Sequence, residues 1–184
     1  MNPSPAAILD RDGTLIDVIR DEESGAIVTA FHPAQLRLLP GVVEGLRALS
    51  GAGFVLAMAT NQPGPAKGQI SRAAVARTNA ALLALLEAEG VPIAAIEVCE
   101  CRKPRPGMLR SLLERLGADP AHSWAIGDSA ADVEAGRAAG LRTALILPRS
   151  RCELCPLRGQ PDLGADVHGT TLVEIAAAIR GRMY

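Results

Sequence analysis

The chain has 184 residues, of which 48% are hydrophobic but only 2% aromatic, and its formal net charge is −1. This length suits one domain with a full core, and an apolar fraction made mostly of Ala and Leu favours a helix-rich layered protein over a β-sandwich. The balanced charge gives no electrostatic basis for binding nucleic acid or a membrane surface, and we expect a cytoplasmic protein because the sequence has neither a signal peptide nor a membrane-spanning apolar run.

Short apolar runs alternate with longer helical patterns along the chain. The apolar runs predict strands at 6–9, 54–60, 93–99, 123–128, 141–147 and 165–169. The helical patterns predict helices at 40–53, 71–90, 106–117, 129–140 and 171–181. This alternation is typical of α/β proteins, so we expect a three-layer, doubly wound parallel sheet. The strands are apolar at almost every position, as expected when helices cover both faces.

Two segments do not fit this alternation. Residues 15–40 are charged and marked by Gly and Pro, and they follow neither a helical nor a strand period. We interpret them as a short, irregular flap after the first strand, since the segment is too short for a second domain or a large cap. Residues 148–164 are predicted to be a loop that contains cysteines. The whole chain, 1–184, is then a single domain, and we expect a monomer.

Polar side chains follow four of the predicted strands at the point where each strand ends. They are Asp10 and Asp12, then Thr60, Asn61 and Gln62, then Arg102 and Lys103, and finally, after Gly127, Asp128 and Asp132. In open parallel sheets the ligand site lies at the carboxyl ends of the strands, so we expect these residues to share one edge.

This set of side chains predicts a metal and phosphate site. Two carboxylates as close as Asp10 and Asp12 are costly unless a cation lies between them. Together with Asp128 they form an oxygen-rich group suited to Mg²⁺. Thr60, Lys103 and backbone N–H groups suit the oxygens of a phosphoryl group.

The motifs at these strand ends resemble those of the haloacid dehalogenase superfamily of phosphohydrolases. The matching segments are DRDGT at 10–14, TNQ at 60–62, Lys103 in CRKPRPGM, and Gly127-Asp128 with Asp132. All four appear in order, and the resemblance covers roughly residues 5–148. Within the superfamily the motifs look most like the branch of heptose bisphosphate and histidinol phosphate phosphatases.

The resemblance implies a role for each matching residue. Asp10 would be the nucleophile that forms an aspartyl phosphate, and Asp12 would be the general acid and base. Asp10, the backbone carbonyl of Asp12 and Asp128 would hold Mg²⁺. Thr60 and Lys103 would bind the transferring phosphoryl group. Contacts with the rest of the substrate are expected from Arg11, Asn61, Gln62 and Arg102.

The four cysteines form two close pairs, Cys99 with Cys101 and Cys152 with Cys155. A reducing cytoplasm argues against a disulfide framework. The phosphatase branch named above commonly has a zinc loop before its RKP motif, but the first ligand pair of that loop is missing here. Two interpretations stay open: a tetrahedral Cys₄ zinc site that pins the 148–164 loop near Lys103, or four free thiols left from a degraded site.

Several alternatives to a sugar phosphatase remain at this stage. Asp132 lies early in a predicted helix, so it either supports the metal site or only complements the helix dipole. A phospho-receiver domain also uses acids, Thr and Lys around Mg²⁺, but its acceptor Asp follows the third strand, where this chain has Cys99. An idle, zinc-stapled interaction domain is the remaining alternative. The favoured function is hydrolysis of a small phosphorylated sugar, with histidinol phosphate or a polyol phosphate as the alternative substrate.

Overall fold

The computed structural model describes residues 4–20, 27–100, 105–147 and 163–182. Its main sheet has six strands, and every one of them was predicted from an apolar run. The strands are β1 (Ala6–Leu9), β4 (Val55–Asn61), β5 (Ala95–Cys99), β6 (Trp124–Gly127), β7 (Arg142–Ile146) and β8 (Val167–Gly169). The bounds differ from the predicted ones by at most two residues at each end.

The five predicted helices are also confirmed. They are α1 (Val42–Gly51), α2 (Arg72–Ala88), α3 (Gly107–Leu116), α4 (Ala130–Ala138) and α5 (Leu172–Arg180). Local signals set their ends: the Ser71 side chain accepts a hydrogen bond from the N–H of Ala74 at the start of α2, and Gly117 has φ of 60° at the end of α3.

The flap is more regular than predicted. Its described residues contain a second, two-stranded antiparallel sheet, β2 (Ile19–Arg20) with β3 (Ile27–Val28), followed by a 3₁₀ turn at Pro33–Gln35. Strands of two residues are too short to give a recognisable alternation in a sequence. The hairpin and the turn lie between β1 and α1, on the way from the central strand to the first helix.

All six strands of the main sheet run parallel, in the order β5-β4-β1-β6-β7-β8. The first strand of the chain is therefore central, with β4 on one side and β6 on the other. The chain builds one half of the sheet through β4 and β5 and then returns to build the other half from β6 onward. Because the carboxyl ends of parallel strands share an edge, the residues after β1, β4 and β6 become neighbours.

Helices cover both faces of the sheet, which confirms the predicted three layers. Successive residues of β1 point to opposite faces: Ala7 and Leu9 join one core cluster, whereas Ala6 and Ile8 join the other. The first cluster is closed by apolar residues of α1, α2 and α5, and the second by those of α3 and α4. All four β1 residues are fully or almost fully buried, so this strand is held rigidly at the centre.

Helices α1 and α5 pack closely on one face because α1 contains a glycine at the contact. A Cβ on Gly45 would lie 2.7 Å from Cγ of Leu172 and 2.8 Å from its carbonyl carbon. A side chain at this position would collide with backbone and not only with a flexible group, so the two helices would have to separate.

Among the described residues, no helix combines the length and apolar character required to cross a membrane.

Candidate active site

The carboxyl ends of β1, β4 and β6 form one edge, as predicted. Asp10 directly follows β1, and its N–H donates to the carbonyl of Ile126 in β6 at 2.8 Å. Thr60 and Asn61 end β4, and Asp128 directly follows β6. A cleft of about 340 Å³ opens at this edge, and its polar lining comes from Asp10, Asp12, Asn61, Asp128, Ser129 and Asp132.

Three carboxylates in this cleft form a cluster that fits a divalent cation. Asp10, Asp128 and Asp132 each offer one oxygen, and these oxygens all lie within 4.8 Å of one another. Like charges at such distances repel unless a cation compensates them. Carboxylate oxygens are the ligands that Mg²⁺ prefers, so the donor set matches this ion. The cluster confirms that Asp10 and Asp128 come together across the β1–β6 pair.

The position of Asp132 is compatible with both of the roles that the sequence left open. Its carboxylate accepts hydrogen bonds from the N–H and the Oγ of Ser129, at 3.2 and 2.5 Å, and so caps the start of α4. The same side chain belongs to the carboxylate cluster and is only 6% exposed. The sequence-derived set of metal ligands omitted Asp132 and gave Asp12 only a backbone carbonyl, a role that stays a prediction.

Gly127, the last residue of β6, is required by the position of Asp132. A Cβ on Gly127 would lie 2.2 Å from Cγ and 2.5 Å from Oδ2 of Asp132. The Gly127→Ala substitution must therefore push the Asp132 carboxylate away. We expect it to lower the free energy of unfolding by about 1–3 kcal/mol, as overpacking does, and to weaken Mg²⁺ binding.

Urea unfolding and calorimetric Mg²⁺ titration check this expectation. Gly51→Ala is the matched control, because a Cβ on Gly51 meets nothing within 4 Å. A Gly127→Ala protein as stable as the parent, with the same Mg²⁺ affinity, would contradict it.

The Asp12 carboxylate lies outside the cluster and is held by four hydrogen bonds. Its Oδ1 accepts from Thr29 Oγ1 at 2.5 Å and from Arg11 NH2 at 3.1 Å. Its Oδ2 accepts from Arg11 Nε at 3.1 Å and from Gln62 Nε2 at 2.9 Å. The side chain keeps 19% of its surface exposed and lines the cleft. This position beside Asp10 suits a group that exchanges a proton with a bound molecule.

Arg11 does not occupy the position expected of a substrate contact. Its side chain is 0% exposed and binds Asp12, Asn79, Thr29 and the carbonyl of Ala30. Gln62 is also buried, and its amide donates to Asp12 and to Thr60 Oγ1 at 3.0 Å. Both side chains are therefore buried behind Asp12 in this structure. Their contact with the substrate stays a prediction, which the burial does not favour. Motif spacing gives residue identities but not the direction of each side chain.

Thr60 and Asn61 sit where the prediction placed them. Thr60 is buried at the end of β4, and its hydroxyl retains a proton to donate because the Gln62 amide supplies the hydrogen bond between them. Asn61 lines the cleft, and its Oδ1 is a buried acceptor with no hydrogen-bond partner among the described residues. A buried acceptor of this kind suits a donor on a bound molecule.

An ion pair borders the same edge beyond β5. Arg72 at the start of α2 donates to Glu100, which follows β5, at 3.2 Å through NH2. This hydrogen bond from Arg72 lowers the pKa of the Glu100 carboxyl. The pair is solvent-exposed, so it contributes little to stability, but it joins the first turn of α2 to the end of β5.

Five of the predicted site residues lie outside the described residues. They are Cys101, Arg102, Lys103, Cys152 and Cys155. Cys99 ends β5. A metal ligand must be a thiolate, so the Cys₄ zinc prediction applies only to the reduced chain.

Sequence reasoning missed Thr29 and Asn79, two residues that contact Arg11 behind the site. Thr29 follows β3 in the flap, where no pattern singles it out. Asn79 did leave a signal, because it shares a helical face of α2 with the buried residues Val75, Leu82 and Leu86. A buried amide beside these apolar residues has to find a partner, and here that partner is Arg11.

The matches to known proteins agree with this geometry. A family model described as a haloacid dehalogenase-like hydrolase matches residues 20–140, which is more than half of the chain. The chain belongs to this family. The matched range contains β4, β6 and the Asp128 and Asp132 carboxylates, which confirms the resemblance that the motifs suggested.

Individual known proteins match over almost the full length of the chain. The chain is 33% identical over 183 residues to the D-glycero-beta-D-manno-heptose-1,7-bisphosphate 7-phosphatase of Pseudomonas putida, and the match covers 94% of this chain and 96% of that protein. Its identity to the enzyme of the same name from Escherichia coli K12 is 29%, over 96% of this chain and 94% of that protein.

A solved structure of the family has the same fold. The crystal structure of D,D-heptose 1,7-bisphosphate phosphatase from B. bronchiseptica, complexed with magnesium and phosphate, matches with a TM-score of 0.78 and 27% identity. The match covers 95% of this chain and 97% of that chain. The doubly wound sheet is therefore that of a known phosphatase fold.

Proposed function

We propose that this protein is a Mg²⁺-dependent phosphatase that removes the 7-phosphate of D-glycero-β-D-manno-heptose 1,7-bisphosphate. The cluster of Asp10, Asp128 and Asp132, with Asp12 beside it in the same cleft, is the observation that carries the reaction type. The heptose substrate is supported by the full-length similarity to the Pseudomonas putida enzyme, which carries that substrate in its name.

The first half of the reaction transfers the phosphoryl group to Asp10. A carboxylate oxygen of Asp10 attacks phosphorus, and the bond from phosphorus to the sugar oxygen breaks as the new bond forms. Asp12 gives a proton to the departing oxygen, so the sugar leaves as an alcohol. The products of this half are the free hydroxyl and an aspartyl phosphate at position 10.

The second half restores Asp10. Asp12 now takes a proton from a water molecule as the water oxygen attacks phosphorus. The bond between phosphorus and Asp10 breaks, inorganic phosphate forms, and the Asp10 carboxylate is free for another cycle. One residue thus acts first as an acid and then as a base, which requires that its carboxylate stay in one place through both halves.

Mg²⁺ would be held by the carboxylates of Asp10, Asp128 and Asp132. The chemistry supplied by the bound ion is neutralisation of the repulsion between the attacking carboxylate and the phosphate oxygens. Thr60 would donate to a phosphoryl oxygen, and Lys103 would add a positive charge, as its motif implies. Asn61 would bind a hydroxyl of the substrate through its buried Oδ1.

A phosphate-release screen over phosphorylated metabolites in the presence of Mg²⁺ tests the substrate. We expect the heptose bisphosphate to give the highest kcat/KM, because the similar enzymes share this name and because the flap is too short to be a large, enclosing cap. The Asp10→Asn variant serves as the inactive control, which gives the background phosphate release of the assay. A preference for histidinol phosphate would favour the alternative substrate, and nucleotides or phosphoproteins winning by a wide margin would refute a sugar phosphatase.

We also infer that the reduced chain binds one structural zinc ion through Cys99, Cys101, Cys152 and Cys155. Tetrahedral Cys₄ sites are typical of structural zinc. Elemental analysis of protein purified under reducing conditions without added metal should find zinc, and Cys152→Ser should lose it together with thermal stability. Four titratable thiols and no zinc would instead leave the degraded-site interpretation.

The domain organisation, location and partners of the protein are also inferred from its sequence. We infer that residues 1–184 act as one domain, that the protein is a cytoplasmic monomer, and that its partner is a small phosphorylated metabolite and not a nucleic acid or a membrane. The balanced charge of −1 supports the last of these.

A further inference from the structure

The residues that hold the Asp12 carboxylate in place come from three distant parts of the chain. Besides the adjacent Arg11, the groups that hold the carboxylate are Thr29 of the flap and Gln62 after β4. Arg11 in turn binds Asn79 in the middle of α2. The orientation of one carboxylate therefore depends on the flap, on the central sheet and on a helix that does not line the cleft.

Arg11 links the Asp12 carboxylate to Asn79 in α2. Its Nε and NH2 donate to the two different oxygens of Asp12, both at 3.1 Å, which is a bidentate contact. Its NH1 donates to Asn79 Oδ1 at 2.6 Å. The guanidinium is planar, so a bidentate contact fixes the plane of the partner carboxylate as well as its distance. With the side chain 0% exposed, none of this surface faces the cleft.

Asn79 supplies the acceptor for the NH1 group of Arg11. Asn79 is 4% exposed, and its Nδ2 has no hydrogen-bond partner among the described residues. Burying an amide with one end unpaired costs free energy, so the hydrogen bond at its other end is needed to offset that cost. That contact is the one with Arg11.

We propose that Arg11 is a positioning residue that sets the orientation of the Asp12 carboxylate, and that Asn79 holds Arg11 in place. This inference rests on the proposed function, in which Asp12 protonates the leaving oxygen. The terminal torsion of an Asp side chain is broad, so a carboxylate without such a contact rotates readily. A proton donor must lie within hydrogen-bond reach of the oxygen that it protonates, and rotation would move it out of reach.

The test compares two substrates that differ in their need for an acid. The heptose bisphosphate is an alkyl phosphate with a poor leaving group, whereas p-nitrophenyl phosphate has a good one and needs little protonation. Arg11→Met keeps the bulk of the side chain and removes the bidentate contact. We expect kcat for the heptose bisphosphate to fall by roughly 10²-fold, the cost of a misplaced catalytic group, and kcat for p-nitrophenyl phosphate to fall much less.

Asn79→Ala gives a second measurement that leaves Arg11 and Asp12 intact. It should change the ratio of the two kcat values in the same direction, by a smaller factor, with little change in either KM. Asn79→Asp keeps an acceptor for NH1 and should restore the ratio. Thr78→Ala is the matched control: Thr78 is buried in the same helix, but its hydroxyl donates to the carbonyl of Ala74. It should leave the ratio unchanged.

The outcomes separate this inference from the proposed function. Equal losses on both substrates for Arg11→Met and Asn79→Ala would show a merely structural role, and a raised KM with unchanged kcat for Arg11→Met would show a substrate contact; either overturns the inference. Asp12→Ala is measured in the same assay. If its losses depend on the leaving group while those of the other variants do not, the inference alone fails. If its losses do not depend on the leaving group, the acid assignment and the inference fail together.

Discussion

Replacing Asp10 with Asn is expected to abolish phosphate release and to leave the protein folded. The amide at position 10 cannot attack phosphorus, so no aspartyl phosphate forms. Without Mg²⁺ the variant should still unfold cooperatively, because Asn keeps the volume of the Asp side chain and its hydrogen-bonding shape. The measurements are phosphate release under saturating substrate and thermal unfolding in the absence of the metal.

A matched control for this variant is Asp17→Asn. Asp17 is an exposed carboxylate close in sequence, and its Oδ1 accepts a hydrogen bond from the N–H of Val18. It lies outside the lining of the cleft, so its replacement should not change phosphate release. Near-parental turnover by the Asp10→Asn protein would rule out Asp10 as the nucleophile.

Asp12→Ala should lower kcat for alkyl phosphates by about 10²–10⁴, which is the usual contribution of a positioned proton donor. The loss should be smallest for an aryl phosphate, since its leaving group needs little protonation. The structure adds a second effect that the motif does not show. The buried guanidinium of Arg11 loses its carboxylate partner, and breaking such a pair costs up to about 3–5 kcal/mol of stability.

Asp12→Asn separates these two effects, because it keeps the volume of the side chain and retains one oxygen as an acceptor. Its thermal unfolding should lie between those of the parent and Asp12→Ala, whereas its turnover of alkyl phosphates should be as low as that of Asp12→Ala. Rates are compared at a temperature where both variants are folded. Equal losses for aryl and alkyl phosphates would mean that Asp12 does not protonate the leaving group.

The sequence predicted the secondary structure well because the signals are strong and local. The run AAIL before Asp10 is buried at all four positions, and the Ser-to-Gly span around α2 contains the observed helix. Since the carboxyl ends of parallel strands share an edge, the same reasoning placed Asp10, Thr60 and Asp128 together. These conclusions need only the identity of residues and the period of the pattern.

What the sequence did not predict depends on contacts between distant residues. The sequence predicts that Arg11 is a cation exposed beside the cleft. In the structure, its hydrogen bond to Asn79, 68 residues away, holds it in the core. Gln62 is buried and donates to Asp12, 50 residues away. The sequence left two roles open for Asp132, because a helix-capping position and a position in the carboxylate cluster coincide at the start of α4. No local pattern encodes the direction of these side chains.

The central place of β1 has a consequence for the order in which the protein can assemble. Strand β1 has both of its neighbours, β4 and β6, later in the chain. A nascent or partly unfolded chain therefore carries Asp10 without Asp128 and Asp132, and it has no cluster to bind the cation until β6 pairs with β1. An ion that binds only the completed fold stabilises it by mass action. A bound Mg²⁺ would thus favour the pairing of β6 with β1 as well as taking part in the proposed chemistry.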